Sequence, residues 1–237
     1  MIQQNKVRKY ILYAIGEIIL VVIGILIALQ INTWNQEYIS NKDEKAILAN
    51  LNQEFQQNRI ALVKAKEYNK KAYKAGLKIM KLIGESKNVL RKINIDSLIY
   101  SAVEFQAFRP SENAFFNLMQ SGRLQQLKNE SLKDFLYKWS RNLKSAEDNY
   151  NDYDNKIENE LIPYLTNNYL LKDVDFYGQL QWKTKSKLKV DKYLIFQDFK
   201  FENLIDDTLY RLFTYNKNIH ELESIINSII KESSAND

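Results

Sequence analysis

The chain has 237 residues, of which 45% are hydrophobic, and a formal net charge of +5. It has no cysteine and one histidine, His220, which excludes disulfides, thiol nucleophiles and any site built on two histidines. The basic excess is spread along the chain without forming a stripe. We therefore expect it to solvate the surface, and we expect no nucleic-acid partner.

The first predicted element is a membrane-spanning helix. Residues 10–31 contain one formal charge, and as a helix they are roughly 33 Å long, close to the hydrocarbon thickness of a bilayer. A cleaved signal peptide would have a shorter apolar region and a small-residue cleavage site, whereas this run leads into QINTW at residues 30–34. We predict an uncleaved transmembrane helix over residues 10–32, after a tail at residues 1–9 and before one helical domain at residues 33–237.

The residues that flank this helix predict its orientation. Positive charges precede it, whereas both signs are mixed in residues 37–45, and positive residues are retained in the cytoplasm. We therefore expect a single-pass protein of a bacterial inner membrane, with the tail in the cytoplasm and the domain in the periplasm. The basic residues of the tail and the aromatic residues near the two interfaces are Lys6, Arg8 and Lys9, and Tyr10, Tyr13 and Trp34.

One carboxylate, Glu17, interrupts the apolar run. Glu17, Gly24 and Ala28 lie within about 40° of one another on a helix, and the Gly24-x-x-x-Ala28 spacing is typical of close contacts between membrane helices. Three interpretations are open. Glu17 snorkels to the cytoplasmic interface or is protonated, or it is satisfied inside an interface with a second copy or a membrane-protein partner. In the third, it takes part in proton or ion passage.

The domain begins with a long predicted helix. It runs from near Asn41 to Ile83 and ends at Gly84, and it carries a heptad-like, mostly apolar seam from Leu48 to Ile79. Asn58 and Asn69 interrupt this seam at inward positions. Buried asparagines either set the register or partner number of a seam, or mark two wetter positions of an amphipathic helix in a bundle.

Further helices follow along the chain. Pro110 enforces a break after the second of them. Ser111 and Asn129 are typical N-terminal caps, and Gly122 is a typical C-terminal cap. The predicted fold class is all-α, with one N-terminal transmembrane helix followed by an extracytoplasmic bundle of long helices. The remaining helices are predicted over residues 95–108, from Ser111 to Gly122, from Asn129 to Pro163 and over residues 202–231.

Two stretches carry a family resemblance. The run YAIGEIILVVIGILIALQIN at residues 13–32 is followed by the pair Trp34-Asn35. A second pattern of aromatic, Pro, aromatic, Leu-x-x-Ser-Gly and Leu is formed by Phe108, Pro110, Phe115, Leu118, Ser121, Gly122 and Leu132. Together they resemble an uncharacterised family of single-span, membrane-anchored proteins common in Bacteroidetes-type bacteria. Many members carry Tyr where this chain has Phe115, so any role of that hydroxyl is lost here. The resemblance implies a topology and implies no activity.

The segment at residues 172–199 is the least regular, and we predict either a short β-hairpin or an irregular segment there. Four lysines alternate within it, which places them on one face if the chain is extended. Such a face is either solvated or in contact with an anionic surface of lipid or glycan. The four residues are Lys183, Lys185, Lys187 and Lys189.

No motif of nucleophilic, metal or phosphate chemistry is present in the sequence. Asp148 and Asp152 belong to an acidic run at residues 147–160, which we interpret as a solvated helix face because the central glycine of a calcium-binding EF-hand is missing. His220 lies beside the apolar stripe of the last helix and is interpreted as a surface residue. We expect no metal and no cofactor.

These observations favour a non-catalytic function. We predict an inner-membrane-anchored periplasmic domain that acts by protein binding or scaffolding. The alternative is a membrane subunit of an oligomeric or ion-coupled complex that works through Glu17. Catalysis by paired carboxylates is the third hypothesis, and the lack of a chemical motif speaks against it.

Overall fold

The computed structural model describes the backbone of residues 2–234 and the side chains of residues 12–234. The side chains of Lys6, Arg8, Lys9 and Tyr10, named above for orientation and for the interface, lie outside this described part. Residues 2–234 contain helices and irregular segments but no strand, which confirms the all-α class. The helices are α1 (Ile2–Met80), α2 (Lys87–Leu90), α3 (Ile95–Val103), α4 (Asn113–Gln120), α5 (Glu130–Lys156), α6 (Ile162–Asn168), α7 (Leu171–Asp175) and α8 (Phe199–Ser233).

Helix α1 joins the predicted transmembrane helix and the first helix of the domain into one element of 79 residues. The sequence between them contains neither proline nor glycine, so no residue there breaks the helix. The predicted boundary between residues 32 and 33 thus falls inside α1. The helix ends at Met80, one turn before Gly84, which turns the chain with a φ of +77°, a conformation that favours glycine.

The two parts of α1 have different surroundings. Among the described side chains that precede Ile47 in α1, none is buried. From Ile47 onward one face of the helix enters the core, where Phe55 packs edge to face on the fully buried Trp139 of α5, with ring centres 4.9 Å apart. The exposed apolar part of α1 and the part that packs in the core therefore belong to one continuous helix.

Helix α8 packs against both α1 and α5. It runs antiparallel to α1, since Lys66 pairs with Glu223 at 2.6 Å while Gly76 meets Leu209 further along. A Cβ atom at Gly76 would lie 2.7 Å from the Cδ2 atom of Leu209, so glycine permits the close approach of the two helices. The predicted last helix, residues 202–231, is confirmed by α8.

Two caps that were predicted from the sequence are confirmed. The side chain of Asn129 accepts a hydrogen bond from the N–H of Leu132 at 3.1 Å and caps α5. Gly122, with a φ of +70°, follows α4 and the turn at its end. The predicted cap at Ser111 is wrong, because α4 begins at Asn113 and receives its cap from another helix, as described below.

One predicted helix end and the predicted β-hairpin also differ from the structure. The long helix does not stop at Pro163: α5 ends at Lys156, one π-helical turn covers Ile157–Leu161, and α6 continues through the proline. Pro163 has no N–H to bond a carbonyl of the preceding turn, and the π turn directly before it is where the regular α-helical hydrogen bonding changes. The β-hairpin at residues 172–199 is wrong as well, because this segment contains α7, an irregular stretch and a 3-10 helix at Leu194–Gln197.

The second predicted helix ends early because α1 binds the chain that follows it. Residues 104–112 have no regular secondary structure. The amide of Asn69 accepts a hydrogen bond from the N–H of Gln106 and donates one to its C=O, both at 3.1 Å. These backbone groups are then unavailable to a helix. Helix α3 therefore ends at Val103, five residues before the predicted end at Phe108.

A second asparagine of α1 repeats this arrangement. The amide of Asn58 accepts from the N–H of Ser111 at 2.7 Å and donates to its C=O at 2.8 Å. Asn58 and Asn69 are 2% and 0% exposed, and each satisfies the backbone N–H and C=O of a partly buried residue that has no strand or helix partner. The two inward asparagines of the seam are thus hydrogen-bonded within the chain. Because they hold residues 104–112 against α1, we call these residues the clamped segment.

The same face of α1 caps helix α4. The carboxylate of Glu54, four residues before Asn58, accepts hydrogen bonds from the N–H groups of Ala114 and Phe115 at 2.8 and 3.1 Å. A carboxylate at a helix N-terminus is stabilised by the free N–H groups and by the helix dipole. Glu54 therefore replaces the local cap that was expected from Ser111.

The two hydrogen bonds between Asn69 and the backbone of Gln106 predict that a substitution of Asn69 lowers the stability of the domain. Asn69→Asp removes the donor to the C=O of Gln106 and buries a charge, so we expect the free energy of unfolding to fall by about 2–4 kcal/mol, or Tm by roughly 5–15 °C. The measurement is thermal unfolding of the full chain in mild detergent, followed by far-ultraviolet circular dichroism. The matched control is Asn50→Asp on the exposed face of α1, and equal losses in both variants would contradict the clamp.

Candidate functional site

The predicted transmembrane face is fully accessible in the structure. Glu17, Gly24 and Ala28 are exposed, and no atom lies within 4 Å of the position that a Cβ of Gly24 would take. Among the helices of the described residues, α1 is the one long and apolar enough to cross a membrane, by length and composition. The face that carries the small residues is therefore open to lipid or to another helix.

The structure separates the four lysines that were predicted to share a face. Because the chain around them is irregular rather than a strand, alternate positions do not point the same way. Lys185 turns inward and its ammonium group contacts the carboxylate of Asp96. The other three side chains are exposed: Lys183, Lys187 and Lys189.

Asp96 is the centre of a charged cluster that the sequence analysis missed. Its side chain is fully buried, yet it accepts a hydrogen bond from the hydroxyl of Tyr169 at 2.5 Å. The ammonium of Lys192 approaches the two carboxylate oxygens at 3.3 and 3.4 Å, in addition to that of Lys185. The cluster therefore ties the irregular segment at residues 176–193 to the start of α3.

The position of Asp96 in α3 explains how a buried carboxylate is tolerated. It lies in the first turn, after the cap Asn94, where the helix dipole favours a negative charge. Burial alone would raise the pKa of Asp96, but the hydrogen bonds from Lys185 and Tyr169 and the positive charges of Lys192 and Lys185 outweigh it. The pKa therefore lies below its ordinary value of 3.8, and Asp96 is charged at neutral pH.

Aromatic rings complete the surroundings of Lys185. Its ammonium lies 5.7 Å and 5.3 Å from the ring centres of Phe176 and Tyr177, within the range of cation–π attraction. The hydroxyl of Tyr177 accepts a hydrogen bond from the amide of Asn94 at 2.7 Å. Each polar group of the cluster thus has a partner within the chain, which is the arrangement of a structural anchor rather than of an open catalytic site.

A cavity of about 260 Å³ lies beside the clamped segment. Its polar lining combines Arg109 and Glu147 with the hydroxyls of Tyr150 and Tyr215. Burial raises the pKa of Tyr215 to about 12, and burial followed by the charge of Asp154 raises the pKa of Tyr150. Both hydroxyls are therefore protonated at neutral pH and can donate hydrogen bonds, but the lining offers no activated nucleophile.

Two buried polar atoms near the centre of the domain lack a hydrogen-bond partner within residues 12–234, namely Nε1 of Trp139 and the hydroxyl of Tyr153. Burial and then the charge of Glu147 raise the pKa of Glu112, and the nearby indole of Trp139 opposes this rise only in part. These groups mark the least satisfied polar region of the core.

The acidic run and the histidine lie where the sequence predicted. Asp148 and Asp152 are exposed, as are Asn155 and Asn159, so this side of α5 and of the π turn is solvated. His220 is also exposed, with its Nδ1 atom 3.6 Å from a carboxylate oxygen of Glu223. Glu147, the first residue of this run, lines the cavity, whereas His220 belongs neither to the cavity nor to the Asp96 cluster.

Comparisons with known proteins give no relative: the chain matches no protein-family model, no curated protein and no solved structure. The resemblance through residues 13–35 and through Phe108 to Leu132 remains a resemblance.

The Asp96 cluster predicts a pH-dependent contribution to stability. Because the pKa of Asp96 is lower in the folded than in the unfolded chain, its contribution is complete above the unfolded pKa of about 3.9 and is lost as the pH falls through the folded value. We expect Asp96→Asn to lower the free energy of unfolding by about 1–3 kcal/mol at neutral pH. The difference from the native chain should shrink below pH 3.8.

Denaturant unfolding at several pH values checks this prediction, with the exposed Asp206→Asn as the control. The anchored segment gives a second readout, because trypsin should cleave at Lys183 and Lys187 faster in Asp96→Asn than in the native chain. A stability difference that is constant with pH, or unchanged cleavage, would show that the cluster does not anchor the segment.

Proposed function

We propose that this chain is a single-pass protein of a bacterial inner membrane whose periplasmic helical domain, residues 33–237, acts by binding or scaffolding other proteins. Residues 10–32 cross the membrane and residues 1–9 form the cytoplasmic tail. The observation that carries the proposal is an apolar stretch of α1 that is exposed throughout and continues without a break into the core of the domain.

The exposed stretch needs an apolar environment. Large aliphatic side chains from Leu12 to Ile31 are about half exposed or more, and soluble proteins rarely expose a contiguous patch of this size. Insertion of these side chains into lipid would remove them from water. Flanking lysine and arginine residues on the N-terminal side favour the cytoplasmic tail.

A signal sequence would pass the same test of length and composition, and two observations speak against it. The sequence after the apolar run has no small-residue cleavage site. Helix α1 also continues past the end of the apolar run, and its first buried residue is Ile47. The apolar run and the first helix of the domain are therefore one continuous helix.

Exposed aromatic residues support protein binding. Phe199, Tyr210 and Phe213 are 77%, 70% and 56% exposed on α8, and their spacing keeps them within about 60° of one another around the helix. Aromatic side chains are enriched at protein interfaces. The resemblance to single-span, membrane-anchored proteins agrees with this proposal, and the lack of a catalytic motif favours binding over catalysis.

The topology is testable because the native chain contains no cysteine. A cysteine at Ser224, which is exposed on α8, should react with an impermeant thiol reagent in intact spheroplasts. A cysteine at Gln3 should react only after the membrane is permeabilised. The opposite labelling would overturn the orientation, and release of a shortened chain by an alkaline wash of the membranes would favour a cleaved signal sequence.

A second candidate function is a membrane subunit of an oligomeric or ion-coupled complex that works through Glu17. The observation that favours it is the carboxylate itself, which is exposed on the face that also holds Gly24 and Ala28. An ionisable group in a membrane helix is costly and is frequently functional.

Association through the anchor separates these functions. We expect Gly24→Ile to abolish self-association or partner binding, because bulk forces the backbones apart. Glu17→Gln should weaken it by about 3- to 30-fold at most, since interhelical polar bonds are worth roughly 0.6–2 kcal/mol. Crosslinking in membranes measures both effects, and the control is Gly16→Ile, about 100° from the centre of the face.

The outcomes discriminate between three roles of the helix. Loss of association in Gly24→Ile with little change in Glu17→Gln makes the face structural. Intact assembly in Glu17→Gln together with a lost cellular phenotype supports ion coupling. If neither variant changes association, the helix serves only as a tether.

A further inference from the structure

A hollow lies at the end of the domain nearest the predicted membrane. This cavity, of about 680 Å³, is bounded by α1, by the start of α5 and by the end of α8. A second hollow of about 390 Å³ shares Asn41 and Lys128 with it and reaches down to Gln36. We call the two together the basal cavity.

The basal cavity begins at the height of lipid headgroups if Trp34 lies at the interface, as proposed above. At about 1.5 Å per residue, Gln36 is roughly 3 Å and Tyr38 roughly 6 Å beyond Trp34 along α1. The headgroup layer on each side of a bilayer is roughly 5–8 Å thick. A headgroup therefore reaches the lower rim of the cavity without leaving the membrane surface.

Three lysines of the lining supply positive charge to the basal cavity. Lys42 and Lys45 on α1 are exposed and, within the described residues, belong to no ion pair. Lys128 is 67% exposed, hydrogen-bonds Asn41 and lies 3.8 Å from a carboxylate oxygen of Glu44. Ammonium groups of this kind bind the oxygens of a phosphodiester.

Two carboxylates of the same lining, Glu44 and Glu232, supply negative charge. Glu44 accepts a hydrogen bond from the backbone N–H of Lys128 at 2.6 Å, and Glu232 accepts one from the amide of Asn129 at 2.8 Å. Each carboxylate has a further oxygen that can accept from a cation. A purely anionic ligand would meet two negative charges here, whereas a ligand that carries both signs fits the lining.

We propose that the basal cavity binds the headgroup of a zwitterionic phospholipid that carries a primary ammonium, as in phosphatidylethanolamine. The phosphodiester lies toward Lys42, Lys45 and Lys128, and the ammonium donates hydrogen bonds to Glu44 and Glu232. Tyr38 and Leu48 also line the cavity. The ring of Tyr38 and the methyl groups of Leu48 contact the glycerol part of the lipid. This proposal rests on the membrane anchor of the proposed function.

The test uses the full-length chain in mild detergent, with short-chain phosphatidylethanolamine and short-chain phosphatidylglycerol as probes and native mass spectrometry as the readout. The native chain should bind phosphatidylethanolamine more tightly than phosphatidylglycerol. The double variant Lys42→Ala/Lys45→Ala should bind both lipids about tenfold more weakly. Glu232→Gln should weaken only phosphatidylethanolamine, because it keeps an acceptor for Asn129 and removes the negative charge.

Two matched controls, Lys144→Ala and Glu221→Gln, change exposed residues that do not line the cavity and should bind as the native chain does. Equal or tighter binding of phosphatidylglycerol by the native chain would overturn the proposal, and so would variants of the lining that bind like the controls. Since binding is measured in detergent, this failure is separate from a failure of the labelling experiment, which tests anchoring and orientation in the membrane.

Discussion

The bidentate hydrogen bonds from Asn58 and Asn69 to the clamped segment are the interactions on which the domain depends. The clamped segment is partly buried and belongs to no helix or strand, so its N–H and C=O groups need side-chain partners. Two amides on one face of α1 supply them to Gln106 and Ser111. The segment in turn sets where α3 ends and where α4 begins, and its other side contributes to the cavity near Tyr215.

The hydrogen bonds to the clamped segment also explain how α1 is part of the domain core and at the same time connects the domain to the exposed apolar stretch. Its buried face bonds the clamped segment and packs on α8, while the same helix runs uninterrupted to its exposed apolar part. A helix of this kind has no linker in which rotation or bending could be absorbed. In the function proposed here, any contact that orients the membrane helix therefore also orients the domain, and a scaffold built through the anchor would hold its domains at a defined spacing.

Sequence periodicity predicted the elements that are determined locally. The apolar stripes of α5 and α8 and the caps at Asn129 and Gly122 depend on neighbours within a few residues, and the structure confirms them. The missed features depend on partners far along the chain. Asp96 meets Tyr169 and Lys185 across 73 and 89 residues, and no pattern of spacing identifies such pairs. The alternation of the four lysines predicted a shared face only if their segment formed a strand, and the segment is irregular instead.

Two carboxylates in apolar settings show how the domain and the anchor differ. Asp96 is buried, and the chain itself supplies a hydroxyl, two ammonium groups and a helix N-terminus to stabilise its charge. Glu17 makes no hydrogen bond or ion pair with any residue of the described part. Because a carboxyl group in hydrocarbon is costly without a partner, its partner in a membrane has to come from outside the described side chains of residues 12–234. Interfacial water and lipid headgroups satisfy it if the helix is a tether, and a second helix satisfies it if the face of Gly24 and Ala28 is an interface.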